Sequence, residues 1–339
     1  MDVKLTETPE AFHMPEWREL QDADPQAHIF STPLWNELWW GDFGEDKQLA
    51  VLTFVEQEPV AVAPLMLDRS DGERRVRFVG GDDLTDYLGP LMKTPELSTQ
   101  IADSLLDFLS SQLTDWNRLD LKCLPVPFGF ADALVERADR KGLHFETEQT
   151  ELAAILALTG TFEDYVAQLP QKKRHELRRK MRRFHREEPG AVLRSSTPET
   201  LDEDIELFVK MHRGSEGLKG KFMLPQRASF FEKVARAFDP LGWLSLDFLE
   251  VRGKPVATTF SFLYGDVFYL YNSAYDPNFR DVSPGLMIVA KLIERCIAEG
   301  IPRFDFLRGR ERYKFDMGAQ AIPLHSVQIT KSSPRPTSV

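Results

Sequence analysis

Cysteine is scarce in this chain of 339 residues. Cys123 and Cys296 stand about 170 residues apart, so neither a disulfide framework nor a cysteine zinc site is supported. Long apolar runs are missing as well: nothing approaches the roughly 18 residues that a membrane span needs. No charged-then-apolar leader opens the chain, and a cytoplasmic globular protein is expected. HExxH, GxSxG, GxxxxGK followed by Ser or Thr, and GxGxxG after a strand are all absent, and the seven histidines are scattered. Classical hydrolase, P-loop and Rossmann readings lose their main support, and no metal is expected. Positive net charge is lacking too. The formal charge of -11 argues against a general nucleic-acid coat but leaves room for a local basic patch.

What is present is a repeat. Leu52-Thr-Phe-Val-Glu-Gln-Glu-Pro-Val-Ala is answered by Leu246-Asp-Phe-Leu-Glu-Val-Arg-Gly-Lys-Pro-Val-Ala, each an apolar run, a polar turn and a second apolar run. The pattern predicts hairpins at about 49–56 with 59–67 and at about 243–251 with 255–264, the second turned by Arg252-Gly253-Lys254. Arg118-Leu-Asp120-Leu121 then matches Arg303-Phe-Asp305-Phe306, each a strand after a helix, at about 97–114 and 284–299. The two matches are offset by 196 and 185 residues and keep the same order, which points to a duplicated unit. The expected class is α+β, mixed sheets flanked by helices, unlike a repeated βαβ series. The units are placed at 1–150 and 151–330, with a polar tail at 331–339 expected to be disordered.

The second unit carries the chemistry-bearing residues. A third strand runs from Val267 to Tyr271 after the Tyr264-Gly265-Asp266 turn. The next helix has Ser283 as N-cap and Pro284 at its first position, and Gly300 with Pro302 ends it. Leu286, Val289, Ile293 and Cys296 or Ile297 share one face, so Cys296 is a core residue and not a nucleophile. The loop from Tyr275 to Gly285 brings Arg280 to a helix N-terminus, where free N–H groups suit a phosphate or pyrophosphate; an ordinary capped helix is the other reading. After the strand Phe304–Leu307 come Arg308, Arg310, Arg312, Tyr313 and Lys314. Arginine stays charged at any working pH and grips phosphate or carboxylate in a fork. Arg308, Arg312 and Lys314 therefore read as an anion clamp, with Arg310 facing water.

The series Val256-Ala-Thr-Thr-Phe-Ser-Phe, Tyr269-Leu-Tyr271, Ser283-Pro-Gly285-Leu-Met, Asp305-Phe-Leu-Arg308-Gly, Tyr313-Lys314-Phe and Gly318 resembles the GNAT-superfamily acyltransferases. The branch it most resembles is the double-GNAT acetyltransferase family associated with bacterial cellulose and exopolysaccharide loci. Fem-type aminoacyl transferases are more distantly similar. The resemblance covers about residues 150–325, and reaches the first half through the duplication. It implies two tandem GNAT-like domains and transfer of an acyl group, acetyl foremost, from acyl-CoA to an amine or hydroxyl. A sugar, lipid or cell-envelope precursor would be the acceptor. It also implies that Arg280, Ser283, Gly285 and Leu286 hold the CoA pyrophosphate. The family's usual Q/R-x-x-G-x-G/A run is missing apart from Gly285, which leaves room for another donor.

Such a transfer needs a base, donors for the tetrahedral oxyanion and a proton for the leaving thiolate. Strand 266–275 is the candidate for backbone donors. Tyr313 lies where the family pattern sets a tyrosine suited to the thiolate; Tyr271 and Tyr275 compete, and Tyr271 also reads as a substrate contact. For the base the choice falls on Asp305, although a pairing with Arg303 or Arg308 accounts for it equally. Glu250 is the next choice, with Asp266, Asp281 and Glu311 on turns. Phe222-Met-Leu-Pro225 reads as a cleft-lining loop, and Pro33 to Trp40 as an aromatic helix in the first core.

One helix stands apart. Nine Lys or Arg and a single Glu occupy residues 172–186, while Leu177, Met181 and Phe184 form a narrow apolar stripe. That charge over 171–188 points to an anionic partner: RNA, anionic lipid headgroups or an acidic glycan. Pairing with surrounding acids is the other reading. A charged tRNA, if it were the donor, would dock here. A Fem-type aminoacyl-tRNA-dependent transferase and a catalytically silent binding module of a polysaccharide system thus stand beside the acyl-CoA reading.

Overall fold

The computed structural model describes residues 1–70, 72–215 and 218–331, so residues 332–339 of the expected tail lie outside the described residues. The chain forms two units: residues 1–152 together with the chain's end from Ile322, and residues 153–321. The first unit contains β1 (Asp2–Thr6), β2 (Lys47–Val55), β3 (Pro59–Asp68), β4 (Arg75–Phe78), β5 (Leu91–Met92), β6 (Arg118–Pro125) and the start of β7 (His144–Ala157). Its helices are α1 (Pro15–Ala23), α2 (Pro33–Phe43), α3 (Gly81–Leu84), α4 (Ser98–Ser111) and α5 (Phe130–Arg140). The first hairpin, β2 with β3, is antiparallel, and β3 continues to β4, which runs parallel to β6. All of β3 after Pro59 is buried, as a nearly unbroken apolar run covered on both faces requires.

The second unit repeats that order. It holds α6 (Phe162–Gln168), α7 (Gln171–Glu187), β8 (Val192–Ser195), α8 (Leu201–Arg213), α9 (Leu218–Phe222), α10 (Pro225–Phe238), β9 (Leu244–Val251), β10 (Lys254–Tyr264), β11 (Val267–Tyr275), α11 (Pro284–Ala298), β12 (Arg303–Arg308) and α12 (Arg312–Asp316). The β9–β10 hairpin turns through Arg252 and Gly253, both at positive φ, the backbone that the tightest hairpins need. Strand β11 is antiparallel to β10 and parallel to β12, and β12 pairs antiparallel with Ala153–Ala157 of β7.

The last strand, β13 (Gln320–Thr330), corrects the expected boundary at 330. It pairs antiparallel with β6, so residues 322–330 belong to the first unit. In the first unit, therefore, the strand beside β6 is supplied from the far end of the chain, whereas β12 takes its partner, Ala153–Ala157, from the start of its own unit. Backbone pairing, which no composition shift announces, decides this boundary.

Packing holds the second unit together. Helix α11 buries Met287, Ile288, Leu292, Ile293 and Cys296 against the sheet, and each large aliphatic side chain so buried contributes about 1.5–3 kcal/mol. Burial pushes the Cys296 thiol up to about 12, which leaves it an inert core group. On the sheet's other face, the rings of Phe208, Phe231 and Phe260 pack with centroids 5.0–5.7 Å apart. Asp247, fully buried, takes both Nη atoms of Arg295 at 2.6 and 3.1 Å and the hydroxyls of Ser195 and Ser245 at 2.6 Å each. This pair fastens α11 to β8 and β9, and its oxygen atoms are satisfied.

Candidate active site

Strands β11 and β12 stay paired for three residues only, from Val267–Arg303 to Tyr269–Asp305, and then part. Both are bulged at the point of parting. The register of β11 on β10 jumps from Phe260–Asn272 to Ser261–Leu270, which leaves Tyr271 opposite no residue. On β12 the register jumps between Asp305 and Arg308, and Leu307 between them has φ of 58°. A bulge bends its strand and frees backbone groups from the ladder. Two adjoining bulges open the sheet into a cavity of about 730 Å³, the size of a small-molecule site.

The cavity is lined by apolar residues, Phe222, Leu270, Val289 and Phe306 among them, and by the cations Lys180, Arg280, Arg308 and Lys314. The N-terminus of α11 forms part of its wall through Ser283, Pro284, Gly285 and Leu286. Ser283 occupies the N-cap as expected but at φ of 54°, and its side chain makes no cap bond, because capping needs an extended residue there. Leu286 and Met287 N–H both return to the Ser283 carbonyl, and Pro284 has no N–H. Among the described residues the Gly285 N–H has no acceptor, so the one amide left over at this helix start is available to a ligand. A Cβ on Gly285 would lie 3.3 Å from the Tyr275 ring, which explains why the smallest residue stands where helix and strand approach.

The structure brings most of the expected residues together and separates two. Tyr271, Tyr275 and Tyr313 all line the cavity. The Tyr271 ring lies 5.4 Å from Phe231 and 5.1 Å from Phe262, packed as much as exposed. Burial, with Glu311 beside it, pushes the Tyr313 phenol well above its ordinary value, so the phenol keeps its proton at every working pH. Lys314 is 4% exposed and donates to the carbonyls of Arg308 at 2.7 Å and Leu307 at 3.3 Å, with Glu311 at 3.0 Å. It is therefore a tether for the end of β12 as well as a cavity cation. Arg312 is a correction: its side chain is 83% exposed, reaches Asp316 at 3.6 Å, and does not line the cavity. Asp305 is the second. Its carboxylate is buried and accepts the Leu307 N–H at 2.7 Å, which holds the left-handed residue of the bulge, and it too lies off the cavity wall. Glu250 is bound to Arg194 at 2.7 Å, likewise off the wall.

Lys180, His212 and Asn272 are among the cavity residues that the sequence reading did not single out as such. Helix α8 carries His212, 1% exposed, with Nε2 2.8 Å from Asn272 Oδ1. No local pattern singles out one histidine of seven; only the packing of α8 on β11 does so. Among the described residues no cluster of three or more His, Cys, Asp or Glu is placed to hold a metal ion.

Residues 171–315 match the family model described as the acetyltransferase (GNAT) domain. Every residue lining the cavity falls within that stretch. Among solved structures, FemX aligns over 96% of this chain and 97% of its own, with a TM-score of 0.64 at 12% identity. A conserved protein of unknown function from Bacteroides thetaiotaomicron VPI-5482 aligns over 97% and 100%, with a TM-score of 0.60 at 16% identity. The C-terminal domain of a candidate lysylphosphatidylglycerol synthetase from Agrobacterium fabrum aligns over 96% and 93%, with a TM-score of 0.56 at 10% identity. At such identities the likeness is one of fold. The chain has an α+β fold, its mixed sheets flanked by helices, and the stretch that matches the acetyltransferase (GNAT) domain model lies in its second unit. No curated protein matches it in sequence.

Proposed function

We propose that the second unit transfers an acyl group, acetyl foremost, from acyl-CoA to an amine or hydroxyl of a sugar, lipid or cell-envelope precursor. The observation that carries this reading is the opening between β11 and β12, a cavity lined by Arg280, by Gly285 with its unspent N–H and by Tyr313. Arg280 and the α11 N-terminus suit the donor's pyrophosphate, because N–H groups and a guanidinium both favour phosphate oxygens. Thioester and acceptor then meet at the bulge, where the acceptor's nucleophile adds to the carbonyl carbon and the C–S bond breaks. A phenol that holds its proton, as Tyr313 does, is suited to protonate the departing thiolate and unsuited to act as base. Arg308 and Lys314 favour an acceptor with negative charge near the reacting group. That preference is in keeping with the name of the lysylphosphatidylglycerol synthetase neighbour, which points to a lipid.

Isothermal titration with acetyl-CoA tests the reading, with desulfo-CoA as control. Micromolar binding that is lost in Arg280→Ala is the expected result; no heat at millimolar ligand overturns it. A second reading, an aminoacyl-tRNA donor, is favoured by α7. Lys172, Arg179 and Arg182 are exposed there and have no acidic partner among the described residues, and Lys180 of the same helix reaches the cavity. Salt-sensitive tRNA binding by a chain that ignores acetyl-CoA would favour it.

A further inference from the structure

The cavity contains a polar group that sequence patterns do not mark. Asn272 follows the bulged Tyr271 on β11 and lines the cavity. Its Oδ1 accepts two hydrogen bonds, from the Ser273 N–H at 3.0 Å and from His212 Nε2 at 2.8 Å. The backbone N–H of Ser273 can only donate, so the amide atom facing it must be the oxygen. Turning the amide over would set Nδ2 against that N–H. With the oxygen fixed, His212 Nε2 must carry its ring proton, and the tautomer follows.

The consequence lies at the other end of the amide. Both bonds are made by Oδ1, and among the described residues Nδ2 has no protein partner, nor is it one of the buried atoms left without one. A side-chain amide held rigidly by two donors on its oxygen, with its N–H₂ left to the cavity beside a strand bulge, is preorganised to donate to a ligand oxygen. It costs no reorganisation when charge develops there.

We infer that Asn272 Nδ2 donates to the carbonyl oxygen of the transferred acyl group, and that His212 is the residue that positions it. This rests on the acyltransferase reading above. As the acceptor's nucleophile bonds to the carbonyl carbon, the C=O π pair moves onto oxygen, and the hydrogen bond that Asn272 Nδ2 donates to that oxygen strengthens. Collapse returns that pair and expels the thiolate. The thiolate takes the Tyr313 proton, and the proton that the acceptor gives up passes to solvent, from which the phenol is refilled. The ligand class assigned to this position is a thioester carbonyl, or an ester carbonyl if the donor is esterified.

The test compares acetyl-CoA with S-ethyl-CoA, the thioether that lacks the carbonyl oxygen, by titration of the full chain. The wild type is expected to bind acetyl-CoA roughly 5-fold more tightly, the worth of one net hydrogen bond. Asn272→Ala should bring that ratio to about one while leaving S-ethyl-CoA affinity in place. His212→Phe should do the same, and His212→Gln, which keeps an N–H near the position of Nε2, should restore the ratio. Thiol release from acetyl-CoA should lose roughly 10²–10³-fold in kcat in Asn272→Ala with little change in KM. Unchanged thermal midpoints exclude misfolding. A wild type that binds both ligands, with a ratio that survives Asn272→Ala, overturns this inference alone. A wild type that binds neither overturns the acyl-CoA reading and this inference with it.

Discussion

The two units share a frame and treat its opening in opposite ways. Pairing on β3 and β10 puts Phe78 of the first unit where the second has Leu270, and Leu91 where it has Ala274. Three residues, 271–273, join those points in the second unit, while 79–90 do so in the first. The longer connection buries Val79, Thr85, Tyr87 and Leu88, and the cavity beside it shrinks to about 10 Å³, no more than the roughly 10–15 Å³ one water needs. A bulge of the same kind nonetheless recurs in both, one residue later along the repeat in the first unit. Register slips between Leu121 and Leu124 on β6 as it does between Asp305 and Arg308 on β12, and the left-handed residue is Cys123 in one and Leu307 in the other. The Cys123 carbonyl accepts the Leu88 N–H at 3.0 Å, whereas the Leu307 carbonyl faces Lys314 Nζ at 3.3 Å. A duplicated bulge is thus plugged by backbone in one unit and fringed by an ammonium group in the other. The lesson is that the opening is a property of the connection, not of the frame.

The sharpest break of this comparison lies at paired positions on the first hairpin strand. Leu52 stands opposite Ala63 as Asp247 stands opposite Thr259, an apolar core residue in one unit and a buried ion pair in the other. Asp247→Ala should cost about 3–5 kcal/mol by urea denaturation because it strands Arg295, and Asp247→Leu combined with Arg295→Met should recover most of it. Leu52→Ala should cost about 2–5 kcal/mol through its cavity, with no such rescue. Next in size, Tyr313→Phe should lower thiol release from acetyl-CoA about 10²-fold, with the urea midpoint unmoved.

A third comparison uses pH. Burial holds the His28 imidazole down at about 3 from an ordinary 6.5, with Nδ1 accepting the Ser31 N–H at 3.1 Å. As pH falls the unfolded chain gains the proton first. The stability that neutral His28 contributes is therefore complete above 6.5 and lost progressively towards 3, on the order of 1 kcal/mol per pH unit. Denaturation of the wild type between pH 7 and 4.5 should show a steeper loss than His28→Gln. The smallest effect is expected at Arg312→Ala, within about 0.5 kcal/mol in stability and without change in donor affinity. Arg308→Ala, on the cavity wall, should weaken an anionic ligand measurably; equal effects from the two would restore the clamp as read from sequence.

Local pattern made much of this legible. Pro-Val-Ala after a polar turn marked both hairpins to within two residues, and Pro284 with Gly300 bracketed α11. Arg280 and Gly285 reached the cavity because a helix start carries its own sequence signature. Asp305 misled because a carboxylate inside a strand reads as chemistry, while its actual partner is the Leu307 N–H two residues on, a bond that exists only once the bulge forms. Arg312 misled because alternation along a loop does not survive the turn into α12, which carries its side chain outward.

Sequence by itself therefore determined the repeat, the caps, the apolar stripes and the cationic segment after β12, since each depends on residues close in the chain. Tertiary structure alone decided that β13 completes the first unit, that β11 and β12 part after Tyr269, and that His212 meets Asn272 across 60 residues. Those outcomes depend on hydrogen bonds and packing between segments far apart in sequence, where the free energy of closing the fold, and no local preference, selects the partner.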